Sequence, residues 1–433
     1  MSQTGPPQRA THVRWFPILG LVFIATLINY LDRAVFSIAR PKFTVDLGMT
    51  NTVAGLLGSA FSWSYAFAQI PGGALLDRFG TRLVYFLSLI GWSVMTMLQG
   101  TINGVSAFVG LRVGLGVCEA PCFPANSRVL NTWFPQQERA RANAIYSVGM
   151  SAGLAFFTLP LFWIAERYTW RGLFIVAGGI GVVFGALWWA FYREPRESKL
   201  VNQAELDYIE AGGGFAKAGI AQTPVSWLNI LRVARLRPIL IISLAQFCGN
   251  TVLVFFLLDF VNYLFTERHL TWIKTGFYVS FPFMAAALGG LIGGFVADRI
   301  LKRGGSVTVA RKLPVVSGLI LASSLVLANW VPPGQDALVV VIMSVAFFGQ
   351  GMTNLGWTVV TDLAPKQMVG LAGGFFNMIT NVAGIITPVI LGAIKDYTGS
   401  YFFALIYVGV VPLLGAALYI FALGDIKRLE IRT

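Results

Sequence analysis

Twelve apolar runs divide the chain, at about 15–39, 53–73, 83–102, 105–126, 142–164, 172–192, 238–264, 274–297, 314–331, 337–360, 369–393 and 402–423. Each is near the ~20 residues that a helix needs to cross a bilayer. Short polar breaks separate the runs, except for one long connection at 193–237. The pattern predicts an all-α polytopic membrane protein with twelve transmembrane helices. Met1 to Arg14 is polar, and the run after it is too long for the core of a cleavable signal, so that run is expected to remain as the first span. Composition agrees. Of 433 residues, 56% are hydrophobic and 12% charged, against roughly 25% charged in a globular domain.

Equivalent marks recur at equivalent places. The second run leads into Gly73-Ala74-Leu75-Leu76-Asp77-Arg78-Phe79-Gly80-Thr81-Arg82, and the eighth into Gly294-Phe295-Val296-Ala297-Asp298-Arg299. Asp77 and Asp298 stand 221 residues apart, as do Gly72-Gly73 and Gly293-Gly294. A second echo pairs Phe134-Pro135-Gln136-Gln137 with Ala364-Pro365-Lys366-Gln367. Such repetition predicts two six-helix pseudo-symmetric halves around a central cavity. The expected divisions are a tail at 1–14, halves at 15–192 and 238–423, a linker at 193–237 and a second tail at 424–433. Inside the linker, Gln203 to Glu210 reads as a short amphipathic helix.

The net charge of +13 invites a nucleic-acid reading until the cations are sorted by side. With both termini on one side, that side carries 23 of the 32 Lys and Arg, from Arg9 and Arg14 to Lys366 and Arg432. The other side carries seven, among them Arg40 and Lys42, and Arg33 and Arg112 remain in apolar runs. The excess marks the cytoplasmic side and places both termini there. Lipid, not nucleic acid, is the expected environment.

Polar groups inside the apolar runs are the candidate chemistry. Asn29-Tyr30-Leu31-Asp32-Arg33 interrupts the first run, and Arg112 and Glu119 lie in the fourth, on one face and two turns apart. An ionised group at the bilayer centre costs ~2.5–3.5 kcal/mol even on the mildest scale, so these residues are expected to face a polar cavity or one another. Asp32 and Arg33 sit roughly 100° apart around a helix and are poorly placed to neutralise each other. Arginine keeps its charge and binds a carboxylate through two parallel hydrogen bonds, so Arg33 and Arg112 are candidates for holding an organic anion. Tyr30, Tyr65, Gln350, Asn354, Asn377 and Asn381 offer neutral donors and acceptors for hydroxyls, with Trp357 as a platform. Asn377 shares a face with Asn381, and Gln350 with Asn354 and Trp357. Each amide alone would serve equally as a helix-to-helix hydrogen bond.

No phosphate-binding glycine motif appears, and His12 and His269 both fall outside the apolar runs. The carboxylates remain as proton carriers. Burial raises a carboxyl pKa and a nearby arginine lowers it, so an acid beside a cavity arginine exchanges its proton when an anion competes for that arginine. Glu119 fits this first and Asp32 second. The expected energy source is a proton gradient with no cofactor. Cys118, Cys122 and Cys248 read as small buried hydrophobes rather than a metal site.

The stretch from Gly73 to Arg82, read as a loop that recurs around Asp298, closely resembles the cytoplasmic loop signature of the major facilitator superfamily. Its glycines permit close helix approach, and its acid is suited to accept from a helix N-terminus or from an arginine across the seam between halves. Gly73, Asp77, Arg78, Asp298 and Arg299 are therefore candidate gating residues. Asn29 to Arg33, Phe61 to Tyr65, Gln69 to Gly73, and Leu111-Arg112 through Glu119-Ala120-Pro121 to Pro124 narrow the likeness to the anion:cation symporter family. Within it the chain is similar to the bacterial proton-coupled transporters of galactonate, glucarate and galactarate. The resemblance implies an inner-membrane importer of a sugar acid. It also implies substrate contacts at Tyr30, Arg33, Tyr65, Arg112, Trp357 and Asn377, and proton coupling at Asp32 and Glu119.

Two positions depart from that family. Met150 stands where a glutamine is usual, and Asp259 where a tryptophan is usual near the outer end of the seventh run, an acid expected either to be solvated at the membrane edge or to add a charge to the pathway. Another organic anion, such as an aromatic carboxylate, is therefore the alternative ligand. A receptor would leave the internal repeat unexplained, and a cation exporter would want acids to outnumber arginines. A membrane enzyme would need a nucleophile–base or metal constellation that does not appear. A monomer is expected.

Overall fold

The computed structural model describes residues 10–214, 232–365 and 368–429, the side chains at 70, 140, 144, 147, 148, 151, 152, 155, 156 and 370 excepted. Arg9, Lys366, Gln367, Arg432, the middle of the linker and the side chain of Ile70 thus lie outside the described residues. Every apolar run is helical, and no strand occurs among the described residues. The first half contains α1 (Leu19–Asp46), entered through a π-helical turn at Arg14–Ile18, then α2 (Asn51–Phe79), α3 (Thr81–Gln99), α4 (Val105–Glu119), α5 (Cys122–Trp133), α6 (Gln136–Arg167) and α7 (Thr169–Phe191). The linker helix is α8 (Gln203–Ala211). The second half contains α9 (Arg237–Leu258), α10 (Phe260–Thr266), α11 (Trp272–Lys302), α12 (Val307–Ser323), α13 (Asp336–Met352), α14 (Gly356–Leu363), α15 (Val369–Thr398) and α16 (Phe402–Ala417).

Ten spans among the described residues are long and apolar enough to cross a membrane. Helices α2 and α6, at 29 and 32 residues, complete the expected twelve. Several spans outrun their apolar runs, because backbone hydrogen bonding does not stop where hydrocarbon does. Helix α2 continues through Gly73, Asp77 and Arg78 to Phe79, and α11 through Asp298 and Arg299 to Lys302. The signature read as a loop is thus the end of a helix. The turn itself is Gly80, whose φ of 80° suits glycine. Three spans are also interrupted. Pro121 separates α4 from α5, where its missing N–H and its ring break the ladder. Asp259 separates α9 from α10, and a 3₁₀ turn at Thr353–Leu355 separates α13 from α14.

The chain groups into two compact units. One comprises residues 1–32, 63–154 and 171–220; the other comprises 33–62, 155–170 and 221–433. These units describe packing, whereas the expected halves describe sequence repetition. They differ because parts of α1, α2 and α6 pack with helices of the second half.

In the first unit α3 and α7 approach closely through glycine: a Cβ on Gly178 would stand 2.5 Å from the Ser93 carbonyl oxygen, and one on Gly181 2.1 Å from its hydroxyl. Tyr85, Trp188 and Tyr192 pack there as buried rings, with centroids 4.4 Å apart in each successive pair. The tail, the start of α6 and the linker helix meet at Arg14. Its Nε donates to Glu138 Oε2 at 2.8 Å, Nη2 to Glu138 Oε1 at 3.2 Å and Nη1 to Glu205 Oε1 at 2.9 Å. Glu205 is fully buried and also accepts from the backbone N–H of Val13 at 3.0 Å and from the Thr11 hydroxyl. Burial alone would raise the Glu205 carboxyl; the bonds from Thr11, Val13 and Arg14 outweigh it and hold the group below its ordinary value. Glu138 is likewise lowered, burial opposing and Arg14 prevailing. The expected helix at 203–210 is therefore present, and it is docked rather than free.

In the second unit α11 and α13 cross with reciprocal contact. A Cβ on Gly289 would stand 2.0 Å from the Phe348 carbonyl oxygen, and one on Gly351 2.0 Å from that of Ala286. The ends of α1, α2 and α6 remote from the tail pack on α9, α11 and α15 of the same unit, through contacts detailed below.

Candidate functional site

Five of the candidate substrate and proton residues lie in the first unit. On α4 the buried positions are Phe108, Arg112, Leu115, Gly116 and Glu119, a single stripe of helical period. Arg112 is 4% exposed and Glu119 fully buried, so both face inward as their spacing predicts. The adjoining face of α4 is held by α3: Gly91 lies against Cys118, and the Ser88 hydroxyl donates to the Cys118 carbonyl. Asp32, 3% exposed, lies on α1 beside the half-buried Tyr30, and Tyr65, 7% exposed, on α2. Gly72 packs against Pro121, where an added Cβ would stand 3.1 Å from the ring.

A buried polar relay accompanies this set that the sequence reading missed. The Tyr85 hydroxyl donates to Asn126 Oδ1 at 2.7 Å and lies 3.2 Å from Cys122 Sγ, while Asn126 Nδ2 donates to Thr26 Oγ1 at 3.2 Å. It ties α1, α3 and α5 together one turn before Asn29. The signal available was a tyrosine, an asparagine and a threonine within apolar runs, but their pairing spans 41 and 100 residues. Cys122 and Cys248 are buried, Cys118 partly so, and all three thiols are free.

The remaining substrate candidates belong to the second unit. The Arg33 guanidinium lies 5.4 Å from the Phe61 ring centroid, a favourable place for a cation. Asn381 Nδ2 donates to Asn377 Oδ1 at 2.9 Å and to its carbonyl at 2.8 Å, so the shared face of those two amides is observed. The face assigned to Gln350, Asn354 and Trp357 is not. The 3₁₀ turn between α13 and α14 changes the angular period, and Gln350 is buried while Asn354 and Trp357 are exposed. Trp357 is held edge-on by Phe376, with centroids 4.9 Å apart. Two further amides escaped the sequence reading: Asn250 Nδ2 donates to the Thr380 carbonyl at 3.2 Å, and Gln246 Oε1 occupies the space that a side chain on Gly356 would need.

Among the gating candidates, Asp77 accepts from Arg128 Nη1 at 2.7 Å. That partner is an arginine on α5 of the same half, rather than the helix N-terminus or the arginine across the seam that the sequence offered as alternatives. Gly73 and Arg78 lie on α2, and Asp298 and Arg299 are exposed near the end of α11. His12 and His269 are exposed outside the helices. Asp259 is fully buried, not solvated: its Oδ1 accepts from Arg40 Nη1 at 2.6 Å and from the Tyr401 hydroxyl at 3.2 Å.

Known proteins resemble the whole of this arrangement. Residues 22–388 match the model of the Major Facilitator Superfamily. A D-galactonate transporter of Escherichia coli O6:H1 is 39% identical over 96% of this chain and 97% of its own. A probable galactarate/D-glucarate transporter of Bacillus subtilis is 39% identical over 99% and 95%. Among solved structures, a D-xylose–proton symporter superposes with a TM-score of 0.72 at 14% identity, covering 95% of this chain and 98% of that one, which speaks to fold alone. Matched over nearly its whole length by proteins named as transporters, this chain is a multi-pass transporter, not an enzyme, and belongs to the Major Facilitator Superfamily.

Proposed function

We propose that the protein imports a sugar acid, an aldonate or aldarate such as galactonate or glucarate, across a bacterial inner membrane by proton symport with alternating access. The observation that carries this reading is the buried stripe of α4, which places a guanidinium and a carboxyl on one inward face. Arg112 and Arg33 hold carboxylate oxygens through charge-assisted hydrogen bonds. Tyr30, Tyr65, Gln350, Asn354, Asn377 and Asn381 serve the hydroxyls, and Trp357 supplies a face. Glu119 releases its proton when the departing anion frees Arg112, with Asp32 as its companion. The proton gradient is the energy source, both termini are cytoplasmic, and a monomer suffices. The names of the two 39%-identical relatives support the substrate class.

Reconstituted vesicles with an imposed pH difference test it. Labelled galactonate or glucarate is expected to accumulate, and Glu119→Gln is expected to abolish accumulation while sparing exchange of substrate for substrate. Accumulation by that variant at the parental level would remove Glu119 from the mechanism. Met150, half-buried on α6 where an amide would have served a hydroxyl, favours a second ligand class, a less hydroxylated carboxylate. Counterflow with a benzoate-type acid separates the two.

A further inference from the structure

We propose that Arg40 and Asp259 form the latch of the seam at the end of α1 away from the tail, a bond that is made in this state and separates whenever that end opens. The inference rests on the alternating-access reading above. The two residues are 219 apart and come from opposite sequence halves, yet both lie in the second compact unit. Arg40 is 1% exposed and Asp259 fully buried. Arg40 Nη1 donates to Asp259 Oδ1 at 2.6 Å and to the Leu258 carbonyl at 3.0 Å. The Tyr401 hydroxyl donates to the same carboxylate oxygen and accepts from Asn262 Nδ2 at 2.7 Å. The break between α9 and α10 falls at Asp259 itself, which turns its side chain toward α1.

The rest of that seam is closed by contacts of a different kind. Helix α2 starts on α15, where Asp396 accepts from the backbone N–H of Asn51 at 2.8 Å and of Thr52 at 2.7 Å. One turn on, a Cβ on Gly55 would stand 2.2 Å from the Pro388 carbonyl oxygen, and the Ser59 hydroxyl donates to the carbonyl of Ile385. The end of α6 meets α11 through Trp272 Nε1 and the Phe162 carbonyl at 3.0 Å. A carrier that admits substrate at this end must withdraw residues 33–62 and 155–170 from all of these. Helix caps and backbone contacts exchange their partners for water one at a time, whereas the ions of a buried pair part at a cost of several kcal/mol unless both are hydrated. Only one of the three guanidinium nitrogens of Arg40 is hydrogen-bonded among the described residues. A group poised to exchange partners has that character. The residues are positioning residues: neither touches substrate, and both set how readily the seam parts.

The test reads the seam directly. Ser59, 4% exposed against α15, is replaced by cysteine in a chain whose Cys118, Cys122 and Cys248 are changed to alanine. Its reaction with a membrane-impermeant maleimide is followed in intact cells. Asp259→Asn is expected to raise the labelling rate at least tenfold, Arg40→Lys to raise it less, and the exchange Arg40→Asp with Asp259→Arg to bring it back toward the parent. In galactonate uptake, Asp259→Asn is expected to alter the maximal rate while KM stays within twofold. Should Asp259→Asn not reach the membrane, Tyr401→Phe gives the same readout at smaller amplitude. Labelling that is unchanged in every variant overturns the latch whatever the flux. Raised labelling in a protein that moves no carboxylate keeps the latch and rejects the transport reading.

Discussion

Two buried arginines at opposite ends of the first helical span behave differently. Arg14 is bonded through all three guanidinium nitrogens, with a two-pronged grip on Glu138 and a third bond to Glu205. Its partners come from the start of α6 and the linker helix, both within its own compact unit. Arg40 bonds through one nitrogen to one acid, and that acid comes from the other sequence half. Arg14 engages all three nitrogens, whereas Arg40, in the latch proposed above, has fewer bonds to replace when the seam parts. On the proposed latch, the difference separates an ion pair of the scaffold from one of the moving parts.

That comparison can be broken by mutation. Arg14→Leu leaves a fully buried carboxylate and a second partly buried one without their cation, and is expected to cost ~3–5 kcal/mol, read as a fall in thermal unfolding temperature in detergent. Flux per folded molecule should stay within twofold of the parent. Arg40→Leu strands Asp259 in the same way, but the chain has an escape, because parting the seam hydrates the acid. Its cost is capped by the gap between conformers, no more than a few kcal/mol. A larger loss of unfolding temperature than Arg14→Leu produces would make Arg40 a brace after all.

Acid sharpens the contrast further. Glu138 and Glu205 are both held below their ordinary values, so their contribution is fully present above the unfolded carboxylate pKa of about 4.3 and is lost as pH falls through the lower folded values. Hydrogen exchange in 202–211 is expected to be flat from pH 7 to 5, after correction for intrinsic rates, and to accelerate only below about 4. Acceleration near pH 6 would contradict the docked tail. Tyr208→Phe, which deletes the bond from its hydroxyl to Glu138 at 3.0 Å, is the mildest probe, worth about 0.5–1.5 kcal/mol in the same assay.

Much of this was legible from the sequence, and the failures have physical causes. Apolar runs mark where hydrocarbon ends, so all twelve spans were found. They do not mark where a helix ends, which is why Asp77 and Asp298 were read as loop residues. Period counting placed Arg112 and Glu119 on one inward face of α4, and did the same for Asn377 and Asn381, because those helices are regular between the counted positions. It failed for Gln350, Asn354 and Trp357 because a 3₁₀ turn intervenes. Asp259 stood out as an acid in an apolar run, but nothing local distinguishes a solvated edge residue from one paired with an arginine 219 positions earlier. Long-range pairing is a property of the fold, and a single chain read in order does not display it.

The approach of Gly55 to Pro388 has a practical consequence. The space there is filled by backbone, with the carbonyl oxygen only 2.2 Å from where one extra carbon would lie, so no rotamer can yield. Gly55→Ala would act as a wedge, excluding this arrangement by bulk while leaving any arrangement with the helices apart unstrained. A single methyl group thus offers crystallographers a handle for trapping the opposite conformer that the proposed alternating access requires, without inhibitor, antibody or crosslinker.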